Sequence, residues 1–221
     1  MRGDPRLVDT EKTPVKTASC EFEQEVRLAC QQGELARAAA SVLDQLGPEL
    51  RSFLVARLRS EPDGEEVFSI FAEKLWRGLP TFAFRSSVRT WAYALARNAA
   101  HNYVAAACRD PARHVTLDKA DDDSELRART RTRTEAHRRT ETKVRIRGLR
   151  DRLSADDRML LVLRVDRDMA WRDLAQVLLG DANRDVDDHV LNREASRLRK
   201  RFERVKTELR RMAREEGLLD S

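Results

Sequence analysis

The sequence predicts an all-α protein of two small helical domains joined by a flexible linker. Three observations carry this. Apolar residues recur at three- and four-residue spacing in separate stretches from Phe22 to Tyr103 and from Ile146 to Met212, the repeat of a helix with one buried face. Between them, from His114 to Val144, large apolar residues almost vanish, and such a stretch cannot offset the entropy of ordering it. The 221 residues are 41% hydrophobic and 37% charged, enough for two small cores rather than one large one. The boundaries that follow are a disordered tail over 1–18, a first unit over 19–107, a linker over 108–143 and a second unit over 144–221.

Other classes are disfavoured by composition. The three cysteines, Cys20, Cys30 and Cys108, stand far apart with no C-x-x-C, so neither a disulfide framework nor a zinc site is indicated and a reducing compartment fits. The opening residues are polar, unlike a secretory signal, and no apolar run approaches the about 20 residues that cross a bilayer. A net charge of +5 suits a polyanionic partner and also an ordinary solvated surface. The histidines are isolated, the glycines form no phosphate-binding loop, and Asp121–Asp123 lie in a segment too polar to hold a preorganised site. No catalytic group, cofactor or metal is expected.

In the first unit, Phe22, Val26, Leu28 and Leu35 open the helical pattern, followed by Val42, Leu43 and Leu46. Gly47-Pro48 reads as a break, after which Leu50, Phe53, Leu54 and Leu58 resume, and Ser60–Gly64 reads as a turn. In the next helix Val67, Phe71 and Leu75 form a stripe widened by Phe68 and Trp76, and Gly78 and Pro80 end it. Ser86 or Ser87 caps the following helix. There Val88, Ala92, Leu95, Ala99 and Tyr103 share one face, with Arg89, Tyr93, Arg97 and His101 opposite and Trp91 and Asn98 at the boundary. Arginine and flat rings on an exposed face suit single-stranded nucleic acid. Trp91 and Tyr93 fit equally well as cover for the core edge.

Arg129–Thr134, RTRTRT, reads as solvated linker or as a nucleic-acid arm. In the second unit Ser154 and Asp157 make a capping-box-like start to a helix through Met159–Val165. Leu174, Ala175 and Leu178 mark a further helix that closes at Gly180. A loop to Asp187 precedes one long helix, where Leu191, Ala195, Leu198, Phe202, Val205, Leu209 and Met212 alternate spacings of four and three. His189, Arg193, Arg197, Lys200 and Arg204 lie opposite. A helix pair whose second member is basic outward is the helix-turn-helix arrangement. The same stripe also fits a coiled coil.

FAEKLWRGLPTF followed by SSVRTWAYALARNAAHNYV resembles region 2 of the extracytoplasmic-function sigma factors, the two-domain branch of the bacterial sigma-70 family. LRVDRDMAWRDLAQVLLG…LNREASRLRKRF resembles their region 4. Val88 replaces a usual Phe, Ser69 replaces a frequent glutamine, and the linker and the loop after Gly180 are longer than usual. The resemblance implies a monomeric, cytoplasmic subunit that binds the clamp and flap of core RNA polymerase and promoter DNA, with an anti-sigma factor as a further partner. It implies polymerase contact through Glu65, Glu66, Ser69, Glu73 and Lys74. Phe82, Phe84, Arg85, Ser86, Ser87, Arg89, Thr90, Trp91, Arg97 and Asn98 would take the melted minus-ten strand. Trp171, Arg172, His189, Asn192, Arg193, Ser196, Arg197, Lys200 and Arg204 would read the minus-thirty-five duplex. The alternative is a homodimeric helix-turn-helix regulator that dimerises through its C-terminal stripe.

Overall fold

The computed structural model describes residues 14–109, 145–179 and 186–219, with side chains from Cys20 onward. The expected linker beyond Arg109, its RTRTRT run and most of the loop after Gly180 lie outside them. The described residues are helical with no strand, as expected.

Helix α1 spans Pro14–Gln31, α2 Leu35–Leu58, α3 Glu61–Gly78 and α4 Val88–Ala107. Thus α1 begins before residue 18, the expected end of the tail. Three local readings are corrected. Gly47-Pro48 does not break the pattern: α2 runs through it, forgoing one ladder bond at Pro48 because Leu46 and Leu50 on either side are buried. Ser60–Gly64 is not a free turn but the start of α3. Ser60 caps it by accepting from the Asp63 N–H at 3.3 Å, with Pro62 in the first turn. A Cβ on Gly64 would lie 2.6 Å from a Val55 methyl, so glycine lets α3 cross close to α2. Gly78 is no left-handed cap: the chain continues into a 3-10 turn, Leu79–Thr81. Its missing side chain makes room for Trp91, whose ring a Cβ would approach to 2.9 Å.

Val67, Phe71 and Leu75 are fully buried, each stabilising by about 1.5–3 kcal/mol. Trp76, expected in the same stripe, is 49% exposed, and Leu28 is equally open. Glu23 ties α1 to α4 by accepting from the Val88 N–H at 2.7 Å. Tyr103 ties α4 to α3 by donating to Asp63 at 2.7 Å.

In the second unit residues 145–151 form α5. Ser154 caps α6, Ala155–Leu161, as expected, and a π turn over Val162–Asp166 follows. Val165, read as part of the apolar face, is turned outward there. Helix α7 spans Trp171–Leu179 and α8 Asp188–Glu215. The apolar stripe of α8 is used within the chain. Leu191, Ala195 and Leu198 join a core with Leu174, Ala175 and Val177 of α7. Val205 and Met212 join Leu149, Leu153 and Leu161.

The two units are packed together. Helix α4 packs against α7, and α2 against α6. A single apolar cluster continues from Phe22 through Trp91 and Tyr93 to Met159, Leu174 and Leu198.

Candidate nucleic-acid interface

Three surfaces carry the residues singled out in the sequence. The first is the outer face of α3. Glu66, Ser69 and Glu73 are exposed and Glu65 and Lys74 half-buried. Residues 65, 69 and 73 follow one another at four-residue spacing, so the expected polymerase contacts share one helix side. Arg51 pairs with Glu65 at 3.1 Å and Arg77 with Glu73 at 2.6 Å.

The second is the loop from Phe82 to Ser87 with the start of α4. Ser87 caps α4 by accepting from the Thr90 N–H at 3.0 Å. Arg85 is exposed and Phe84 half-buried, with the Arg27 guanidinium 4.6 Å above the Phe84 ring. Phe84 adopts a φ of 54°, uncommon for a bulky residue. Other members of this set lie inside. Trp91 is 1% exposed and stacks on the buried Phe82, ring centroids 4.3 Å apart at 16°. In this structure neither ring offers a face to a base, and for Trp91 the core reading holds. Thr90 and Tyr93 are buried too. Arg89 is committed to Glu49 in a forked pair at 3.0 and 3.2 Å. Arg97 donates to Asn98 at 3.3 Å, and both are half-buried.

Helix α7 adds cover at Thr90, while Tyr93 packs edge-on against Phe53 of α2 at 5.2 Å. The Asp173 carboxylate accepts a hydrogen bond from the Thr90 side chain. Burial pushes its pKa up, opposed by that bond and by Arg172 and Arg89. Arg167, just after the π turn, donates to the Glu49 carbonyl at 3.1 Å. Below them Arg57 donates to the Ala155 carbonyl at 3.3 Å and faces Asp156 at 3.9 Å. Arg59 faces Asp151 at 3.5 Å. Arg97 and Arg158 also lie here. Burial lowers the pKa of each, and neighbouring guanidinium groups add to it, Arg57 for Arg97 and Arg59 for Arg158. None of Glu23, Glu49, Asp173, Arg167 and Arg57 stands out in the sequence. Asp173, for example, reads there as an ordinary acid in the first turn of a helix.

The third surface is the outer side of α8, where His189, Asn192, Arg193, Ser196, Arg197, Lys200 and Arg204 are all exposed. Asp187 caps the helix by accepting from the His189 N–H at 2.6 Å. Trp171 and Arg172 lie at the junction of α7 with α8. Trp171 packs edge-on against Phe202 at 5.4 Å, with Arg164 and Arg199 over its ring, so it belongs to the α7–α8 contact. Arg172 pairs with Asp188.

An all-α chain with a four-helix N-terminal unit and an exposed basic helix is thus the class defined by geometry. Residues 42–109, most of α2 with all of α3 and α4, match the family model for sigma-70 region 2. The match supports a sigma-70 family member and, through it, a role in promoter-specific transcription with core RNA polymerase and promoter DNA as partners. No curated protein matches the chain. Among the described residues no helix is long and apolar enough to cross a membrane.

Proposed function

We propose that this protein is a sigma factor of the extracytoplasmic-function type, a cytoplasmic subunit that binds core RNA polymerase and directs it to promoters. The observation that carries the reading is the sigma-70 region 2 match over residues 42–109. It takes in both the loop from Phe82 to Ser87 and the α3 face of Glu65, Glu66, Ser69, Glu73 and Lys74. In this reading the α3 face docks on the polymerase clamp. The loop and the start of α4 hold the unpaired minus-ten strand, with Arg85 and Phe84 the groups nearest to use. The outer side of α8 enters the major groove of the minus-thirty-five duplex as the second helix of a helix-turn-helix formed with α7. The protein is a monomer when free, and an anti-sigma factor is a natural regulatory partner.

Over the dimeric regulator, this reading is supported by the α8 stripe: Leu191, Ala195, Leu198, Val205 and Met212 are spent on contacts within the chain. The test is co-purification with core polymerase followed by transcription in vitro. Purified protein plus core enzyme should initiate at specific promoters without another factor. Well-folded protein that never binds core enzyme defeats the reading. A dimer that binds a palindromic duplex by itself establishes the alternative.

A further inference from the structure

The loop assigned to the single strand is flanked by α1, a helix that lies outside the matched residues 42–109. We propose that Arg27 of α1 is a strand-binding residue: in the free protein its guanidinium covers the Phe84 ring, and on capture it gives that ring up to an unpaired base and turns to the neighbouring phosphate. The inference rests on the assignment of the Phe82–Ser87 loop to strand capture.

The ring is held under strain. Phe84 keeps a φ of 54°, a conformation that a bulky residue adopts only where its surroundings impose it. Phe82 lies beside it, ring centroids 4.5 Å apart, and is itself stacked on the buried Trp91. Three rings thus run outward from the core, and the outermost, Phe84, is half-buried. Arg27 is exposed on α1, its guanidinium 4.6 Å above that ring. Among the described residues it makes no ion pair. An exposed cation on a phenyl ring is a weak contact, and a base stacked on the same ring is a stronger one, so a single strand can displace it.

The groups around the loop direct the phosphates to the same arginine. The amino end of α4, ordinarily an anion site, is filled by the protein's own acceptors. Glu23 takes the Val88 N–H at 2.7 Å and Ser87 the Thr90 N–H at 3.0 Å. Arg89 is forked onto Glu49 at 3.0 and 3.2 Å. Arg85 and Arg27 are the cations exposed at the loop among the described residues. Glu23 and Arg27 stand one turn apart on α1, so the bond that pins α1 to the start of α4 also sets the guanidinium over Phe84.

The test uses the full chain bound to core polymerase, with core polymerase alone as background. The probes are a short fluorescein-labelled single strand of mixed sequence and the same strand without bases, read by anisotropy. Glycine accepts a positive φ, so Phe84→Gly keeps the course of the loop and removes the ring. It should weaken binding of the strand about tenfold. Wild type should lose about as much when the bases are removed, and Phe84→Gly should lose little further. Arg27→Ala should weaken both strands about threefold and reduce the salt slope by about 0.7, the share of one phosphate on a single strand. Arg27→Lys keeps the charge and should keep the slope. Strand binding unchanged or tighter in Arg27→Ala, or an unaltered salt slope, overturns the proposal. So does a Phe84→Gly protein that loses as much as wild type when the bases are removed. Core enzyme separates the two ideas. If wild type forms the complex and neither variant changes strand binding, this inference alone falls. If wild type never binds core enzyme, the sigma-factor reading falls and this inference with it.

Discussion

Trp91 shows how a single residue can be undecided in sequence and settled by contacts distant from it. At 100° per residue it falls between the two faces of α4. Its burial comes from Phe82 stacked on it and from Gly78 leaving space at its edge, neither of which a helical repeat reveals. Trp91→Ala is therefore expected to cost about 3–5 kcal/mol of stability, read from urea denaturation. Gly78→Ala, which drives a methyl into the same ring, should cost about 1–3 kcal/mol. A Trp91→Ala protein with wild-type stability would contradict this packing. Two carboxylates should respond to pH in opposite senses. Burial holds the Asp173 pKa above its ordinary value. Its contribution is thus fully present below the unfolded pKa and is lost as pH rises through the folded one. For Asp157 burial acts upward too, but the Ser154 hydroxyl and Arg201 outweigh it and hold the group low. Its contribution is present above the unfolded pKa and lost as pH falls through the folded one. Melting temperatures taken from neutral to acid pH should show wild type gaining on Asp173→Asn and losing against Asp157→Asn.

At the scale of elements, helix starts were the most legible feature. Ser87 and Ser154 act through a hydroxyl and an N–H three residues on, a signal contained within one turn of sequence. Ser87→Ala should cost about 1 kcal/mol in the same denaturation assay. Breaks were less legible, because glycine and proline are ambiguous without knowing what lies alongside. Gly47 and Gly64 lie inside packed helices, and Gly78, the last residue of α3, also makes room for Trp91. The basic side of α8 emerged as expected, since an apolar stripe on one side dictates what the other shows. Arg193 and Arg197 lie nearer its N-terminal end, where a groove-reading helix meets bases. Among the described residues Arg197 is paired only with Glu194, at 3.4 Å and largely in solvent, a contact of little weight. Arg197→Ala should weaken promoter binding by about 1–3 kcal/mol and relax preference at one base pair. Arg204→Ala should weaken all promoters alike and make the salt dependence shallower. Titrations on single-base promoter variants at several salt concentrations check both.

At the scale of the whole molecule, the helices could be read from sequence but their mutual packing could not. Periodicity says which side of a helix is buried and is silent about what buries it. Nothing near Tyr93 or Thr90 in sequence hints at α7, and Arg57 and Asp156 are separated by the entire stretch from the end of α2 to α6. The division into two units remains a proposal about independent folding, set beside the observation that they share an apolar cluster. Calorimetry bears on it directly. With the units packed together, one transition should appear whose calorimetric and van't Hoff enthalpies agree. Arg57→Glu with Arg59→Glu sets like charges against Asp156 and Asp151, and in that protein the single peak should divide into two.

Helix α8 is clamped along its length, first by α7 and later by the partners of Val205 and Met212. A rod gripped at both ends cannot bend to follow a winding groove. From Arg193 to Arg204 its basic side extends about 16 Å at 1.5 Å per residue. Against a duplex rising 3.4 Å per base pair, that reach covers roughly five pairs. The hydroxyl-radical footprint of this helix should therefore be a short tract of fixed width, the same on strong and weak promoters, because its width is set by the protein's own rigidity and not by the sequence beneath it.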